Sequence, residues 1–181
     1  MYSSLQRLSN ATALATTVLL TLLSAVALSS FFIPANLKPA SLEISHLNVL
    51  LGRSQNYWGR QDRKEREFAF LKFDLQADLS PLFNWNTKQV FVYLTADYST
   101  KAYPANSVVV WDRIVRTPRH ARLNVQDGKN KYEFKEIGDS FRNTSATFSL
   151  HYQVQPYVGV LTGGEVVRTE PVAFPPARRR T

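Results

Sequence analysis

Ala11 to Ile33, ATALATTVLLTLLSAVALSSFFI, is a run of 23 residues without a charge, and it constrains this chain more than any other feature. At about 1.5 Å per residue a helix of that length reaches roughly 34 Å, enough to cross a hydrocarbon core of about 30 Å. Ten residues precede it and 148 follow. The expected organisation is a short N-terminal segment (1–10), a membrane-spanning signal-anchor helix (11–33) stopped by Pro34, and one C-terminal domain (34–181). A cleaved secretory signal is the rival reading. Arg7 supplies a positive flank, Leu14–Leu23 an apolar core, and Ala25-Val26-Ala27 a small-x-small cleavage site, which would free a secreted β-sandwich binding protein beginning at Leu28. Retention is favoured because the apolar run continues past Ala27 through Leu28, Phe31, Phe32 and Ile33.

Orientation is lightly specified. Arg7 lies on the short side, Lys38 and the more distant Arg53 on the other, which tips the count toward a cytosolic N-terminus and a lumenal or extracellular C-terminal domain. Ala13, Thr17, Thr21, Ala25 and Ser29 recur every fourth position. They lay small side chains in a slowly drifting stripe that a second helix could approach closely, although such residues are also simply common in apolar helices.

The chain has no cysteine, so a lumenal domain must be held by its core alone. The net charge of +8 is partly concentrated in Arg60, Arg63, Lys64 and Arg66 and in the terminal Arg178-Arg179-Arg180. A lumenal address excludes nucleic acid as the partner of these groups. Anionic lipid and an acidic subunit surface remain open, and a solvated loop and frayed tail are the plainer expectation.

Behind the apolar run the pattern is strand after strand. Leu71, Phe73, Leu75, Ala77 and Leu79 alternate with Lys72, Asp74, Gln76 and Asp78, a period of two with one buried and one wet face. Gln89–Tyr93, Val108–Val115, Tyr132–Lys135 and Thr147–Val154 continue in kind, with weaker strands at Leu42–Leu51, Arg122–Val125 and Val166–Phe174. Turn signals fall at Ser80-Pro81, Tyr103–Asn106 and Gly163-Gly164, and Asp127-Gly128 predicts a hairpin. The polar stretch Ser54–Arg66 reads as a surface loop, with Tyr57 and Trp58 either at a lipid interface or packed on the domain. Seven to nine short strands with regular turns and no amphipathic helix predict an all-β protein, an antiparallel β-sandwich on a single N-terminal transmembrane helix.

No local motif assembles the residues of an enzyme, which leaves only a lumenal hydrolase with catalytic groups, such as a serine–lysine pair, drawn from distant segments as the enzymatic alternative. His46, His120 and His151 have no neighbour at metal-ligand spacing, and neither G-x-S-x-G nor S-x-x-K occurs. Asp74 and Asp78 share a strand face but stand roughly 13 Å apart, too far for a carboxylate pair. No catalytic residue, metal or cofactor is expected. Asn143-Thr144-Ser145 is a glycosylation acceptor ahead of a strand, whereas Asn10-Ala11-Thr12 abuts the apolar run on the expected cytosolic side.

One region carries a specific resemblance. Phe83-Asn84-Trp85-Asn86, Lys88-Gln89, Tyr93-Leu94-Thr95-Ala96, Tyr98-Ser99-Thr100-Lys101 and Val109-Val110-Trp111-Asp112 occur in order, flanked by Phe70–Leu79, Lys131-Tyr132 and Arg142–Leu150. Over Arg53–Leu161, this resembles the third subunit of the eukaryotic signal peptidase complex. The resemblance implies a non-catalytic, single-pass type II protein of the endoplasmic reticulum membrane. Its lumenal sandwich is expected to support a catalytic serine-protease subunit and other subunits in removing signal peptides. It also implies that Asn143 is the glycosylated position and disfavours the cleaved-signal reading. The charge-rich Arg60–Arg66 and the Arg178–Arg180 tail depart from the animal pattern and fit a fungal member.

Overall fold

The computed structural model describes residues 3–33, 35–55, 61–100, 103–136 and 140–179, with side chains described except at 54, 55 and 61–64. Helix α1 (Ser4–Ser29) starts seven residues before the uncharged run. Ser3 caps it by accepting a hydrogen bond from the Gln6 amide at 3.2 Å, and Leu5 and Leu8 carry the apolar surface past Arg7. A 3-10 turn, Ser30–Phe32, follows within the apolar run, where the Ser29 and Ser30 hydroxyls both donate to the Val26 carbonyl. The expected stop at Pro34 lies outside the described residues. The helix and turn together, Ser4–Phe32, are long and apolar enough to cross a membrane.

Among the described residues ten strands follow: β1 (Ser41–Gln55), β2 (Gln61–Asp78), β3 (Thr87–Tyr98), β4 (Asn106–Val115), β5 (Arg122–Lys129), β6 (Phe134–Lys135), β7 (Ser145–Pro156), β8 (Thr162–Arg168), β9 (Val172–Ala173) and β10 (Arg178–Arg179). One sheet has the order β10-β1-β2-β5 with β6 also on β2; the other has β4-β3-β7-β8 with β9 on β7. Every pairing is antiparallel except β1–β10. The period-two pattern sets the layers. Leu71, Phe73, Leu75, Ala77 and Leu79 face inward and are buried, as are Val90, Val92, Leu94 and Ala96 of β3. Phe73 of one sheet meets Trp111 of the other edge-to-face, centroids 5.6 Å apart.

The structure corrects several sequence-based expectations. Ser54–Arg66 is not a loop throughout: β1 runs to Gln55 and β2 begins at Gln61, with Arg53 opposite Glu65 and Gly52 opposite Arg66. Backbone pairing extends this ribbon without an apolar face to announce it. Tyr57, Trp58 and Arg60 lie outside the described residues.

Asp127-Gly128 is a bulge inside β5, not a hairpin turn. The register slips between Phe73 and Leu75, and Asp127 takes φ 53° and donates its amide to Asp74 Oδ1 at 2.7 Å. Gly128 is required for space, since a Cβ there would stand 2.7 Å from Val125 Cγ1 and 2.9 Å from Phe73 Cζ.

Gly163-Gly164 sit within β8 because Tyr152 crosses them; a Cβ on Gly164 would come 2.9 Å from the Tyr152 hydroxyl. Val166–Phe174 splits into the end of β8 and the separate β9, with Pro171 between them. Tyr132–Lys135 contracts to the two residues of β6. The tail is not frayed: Arg178 and Arg179 pair in parallel with Leu50 and Leu51, drawn in by Ala177, which packs on the core. Arg180 lies outside the described residues.

The register also fixes two ends. Ser41, Asp78, Thr87, Val115, Arg122 and Pro156 lie at the end nearest α1, while Tyr98, Asn106 and Ser145 lie at the other.

Candidate functional site

The most built polar site joins the helix to the sandwich. Leu79 ends the long β2, and Ser80-Pro81-Leu82 turns the chain over the helix-proximal end. After Phe83, the four residues Asn84–Thr87 fold on themselves. Asn84 Oδ1 accepts from the Asn86 amide at 2.9 Å, and Thr87 Oγ1 donates to the Leu82 carbonyl at 3.0 Å. This turn holds Asn86 inward at 2% exposure. Its Nδ2 donates to Ser30 Oγ and to the Val158 carbonyl, both at 2.7 Å, while its Oδ1 accepts from the Val158 amide at 3.2 Å and its carbonyl from the Tyr157 amide at 2.8 Å.

One side chain thus ties three segments far apart in sequence. Beside it, Gly159 at φ 117° brings the 157–161 loop against the helix, so that a Cβ there would be 3.2 Å from that of Ala27. A buried, fully partnered amide admits few alternative geometries, so the joint favours one seating of the sandwich on the helix end.

Other singled-out residues are placed as follows. In the stripe, Ala13, Thr17, Thr21 and Ala25 are exposed and Ser29 is half-buried. Thr17 and Thr21 donate to the carbonyls of Ala13 and Thr17, both at 2.9 Å, so their hydroxyls are satisfied within the helix. Asn143 is exposed at φ 57° in the turn before β7, on the end of the sandwich away from the helix. The twelve residues of β7 separate it from the joint by roughly 40 Å.

Asp74 and Asp78 are each engaged separately. The Asp127 amide, the Ser45 hydroxyl (2.9 Å) and nearby Lys72 hold the Asp74 carboxyl below its ordinary value. Ser80, through hydroxyl and amide, and then Lys38 do the same for Asp78. His120 Nδ1 is 2.9 Å from Thr117 Oγ1, His151 stacks on Tyr93, and His46 lines an open groove of about 610 Å³ with Asn48, Phe70, Lys129 and Tyr132. Among the described residues no three His, Cys, Asp or Glu side chains are grouped to hold a metal ion.

At the far end Tyr98, Phe134, Phe141 and Phe174 pack ring on ring, with centroids 4.3–6.3 Å apart. Burial, together with a hydrogen bond to Glu136, raises the Tyr98 hydroxyl well above its ordinary range.

Fold and joint together define a class: a β-sandwich hydrogen-bonded to the end of an apolar helix long enough to span a membrane. The family model described as signal peptidase subunit matches residues 1–177, and the chain belongs to that family. It is 39% identical over 171 residues to signal peptidase complex subunit 3 of Saccharomyces cerevisiae, covering 92% of this chain and 93% of that protein. It is 36% identical over 182 residues to the subunit 3 of Yarrowia lipolytica, covering 97% and 98%. The subunit 3 of Gallus gallus is 39% identical over 124 residues, 68% of this chain and 67% of that one. The secreted-sandwich reading is not favoured: these relatives are named as subunits of a complex, and cleavage after Ala27 would remove the helix surface that Gly159 meets.

Sequence reasoning missed the joint. Asn86 stood within the quoted Phe83–Asn86 motif, but its partners Ser30 and Val158 are 56 and 72 residues away. The signal that could have found it was a run of turn-forming Asn and Thr directly ahead of a core strand.

Proposed function

We propose that this chain is a non-catalytic, structural subunit of the endoplasmic reticulum signal peptidase complex. Residues 1–10 lie in the cytosol, 11–33 span the membrane, and the sandwich (34–181) lies in the lumen beside the catalytic subunit. The observation that carries this reading is the family match from residue 1 to 177, which takes in both helix and sandwich.

The geometry supplies the mechanism. A signal peptide is cut close to the membrane surface, so the protease domain must be held at a fixed height. Asn86 clamps the sandwich to the helix end, converting a flexible tether into a bracket and keeping the two lumenal domains at high mutual concentration. The chain supports the peptidase and leaves bond cleavage to its partner.

Asn143 is the glycosylated residue, its exposed turn lying far from the membrane end. The Ala13–Ser29 stripe seats a helix of another subunit through close approach, its Thr hydroxyls being already occupied. Thr17→Leu/Thr21→Leu is expected to reduce copurification of the other subunits; unchanged assembly removes the stripe from this account. The primary test is mild-detergent purification of the tagged full chain. A serine-type signal peptidase is expected to come with it, and its absence would contradict the proposal.

A further inference from the structure

The helix-proximal end of the sandwich carries two features that the joint does not use. The first is apolar. Trp85, Tyr157, Val160 and Leu161 are 60, 68, 68 and 53% exposed, far more than rings and branched chains in a lone soluble domain need to be. They are not scattered: Trp85 precedes Asn86, and the other three flank Val158 and Gly159, so all border the joint.

The joint also sets their height. Gly159 meets the helix at Ala27, yet the uncharged run continues to Ile33. At about 1.5 Å per residue to Ser29 and about 2.0 Å through the 3-10 turn, the loop therefore lies roughly 9 Å below Phe32. Phe31 and Phe32 stand exposed above that level. The second feature is charge. Lys38, Arg116, Arg119 and Arg122 are exposed at the same end, with Asp78 as a carboxylate within 4.0 Å of both Lys38 and Arg122.

We infer that the Tyr157–Leu161 loop and Trp85 are embedded in the lumenal leaflet of the bilayer, with the neighbouring basic groups reaching lipid phosphates. The occupant of this surface is lipid because the patch is continuous with the membrane helix and sits below the end of its apolar run. Apolar and aromatic groups at the headgroup–acyl boundary, backed by cations, form the two-part signature of an interfacial anchor. The sandwich then meets the membrane at two points, helix and loop, which prevents it from swivelling about α1. The inference rests on the spanning reading of α1.

The absence of native cysteine makes the test clean. Full chains bearing Val160→Cys or Leu161→Cys, both exposed sites, carry an environment-sensitive fluorophore and are reconstituted in phosphatidylcholine vesicles containing nitroxide-labelled lipid. Leu28→Cys reports the helix and Ser107→Cys the far end of the sandwich. The expected result is quenching at 160 and 161 comparable to that at 28 and none at 107, with the unlabelled Val160→Cys and Leu161→Cys chains reacting slowly toward an impermeant maleimide in the same vesicles. If 160 and 161 behave like 107 while 28 is quenched, the patch faces water or protein and the inference is overturned with the spanning helix intact. Loss of quenching at 28 as well would overturn both.

Discussion

The two ends of the sandwich are built by opposite means. At the far end Tyr98, Phe134, Phe141 and Phe174 pack ring against ring, with Phe134 and Phe141 1% exposed. Such packing is strong and non-directional; it stabilises the fold without specifying what lies beside it. At the helix end one buried amide, Asn86, holds Ser30 and the Val158 backbone by hydrogen bonds of 2.7–3.2 Å. Its net stabilisation is smaller, but its geometry is directional and joins two parts of the molecule. Ring packing dominates the far end, whereas at the helix end aliphatic core residues such as Leu79, Val90 and Leu123 are joined by a directional polar contact to the helix.

The contrast can be broken by substitution, the largest effect first. Phe141→Ala is expected to cost about 3–5 kcal/mol through lost burial and a cavity, seen as an early thermal transition of the full chain in detergent. Helix-joint readouts should be lost only when the sandwich itself melts.

Asn86→Ala leaves the Ser30 hydroxyl and both Val158 backbone groups without this partner. A cost of about 1–3 kcal/mol is expected. The sharper outcome is an increased spread of spin-label distances between the helix and β5, with the far-end aromatic packing unchanged. An unchanged distance distribution would show that Asn86 does not set the angle.

Gly159→Ala forces a side chain into φ 117° and toward Ala27, a strain of about 1–3 kcal/mol that the 157–161 loop can relieve by moving off the helix. The expected signature is faster exchange of the Tyr157 and Val158 amides with sandwich stability nearly untouched.

The smallest effect is on pH. The Asp74 carboxyl is depressed below 3.8 first by the Asp127 amide, and the Asp78 carboxyl below the same value first by the Ser80 hydroxyl. Groups lowered on folding contribute stability that is present above the unfolded value and is lost as pH falls through the folded one. Asp74→Asn and Asp78→Asn should therefore lower stability slightly at neutral pH and flatten its acid limb below about pH 4, so that variant and wild type converge in acid. An acid limb identical to wild type would assign it to other groups.

What the sequence disclosed follows the range of each interaction. Alternation from Leu71 to Leu79 is local and burial obeyed it residue by residue. The ribbon pairing Arg53 with Glu65 extends beyond the core and has no apolar face to announce it. Asp127-Gly128 carries the same local signal for a hairpin and for a bulge; only Phe73 and Asp74, over 50 residues away, decide between them. Gly163 and Gly164 lie flat in β8 because Tyr152 needs the room, a demand from the neighbouring strand. The joint was the least legible part, since no local pattern marks Asn86 as the partner of Ser30. The resemblance did contain it, in the Phe83–Asn86 motif, without saying what it holds.

As proposed above, this chain braces a peptidase without being one. Membranes depleted of the chain and then supplied with the wild-type protein or Asn86→Ala test it most directly, read by cleavage of a secretory precursor. Cleavage should fall on depletion, return with the wild type and return less fully with Asn86→Ala, while the purified chain alone cuts nothing. Undiminished cleavage without the chain, or cleavage by the chain on its own, would contradict it.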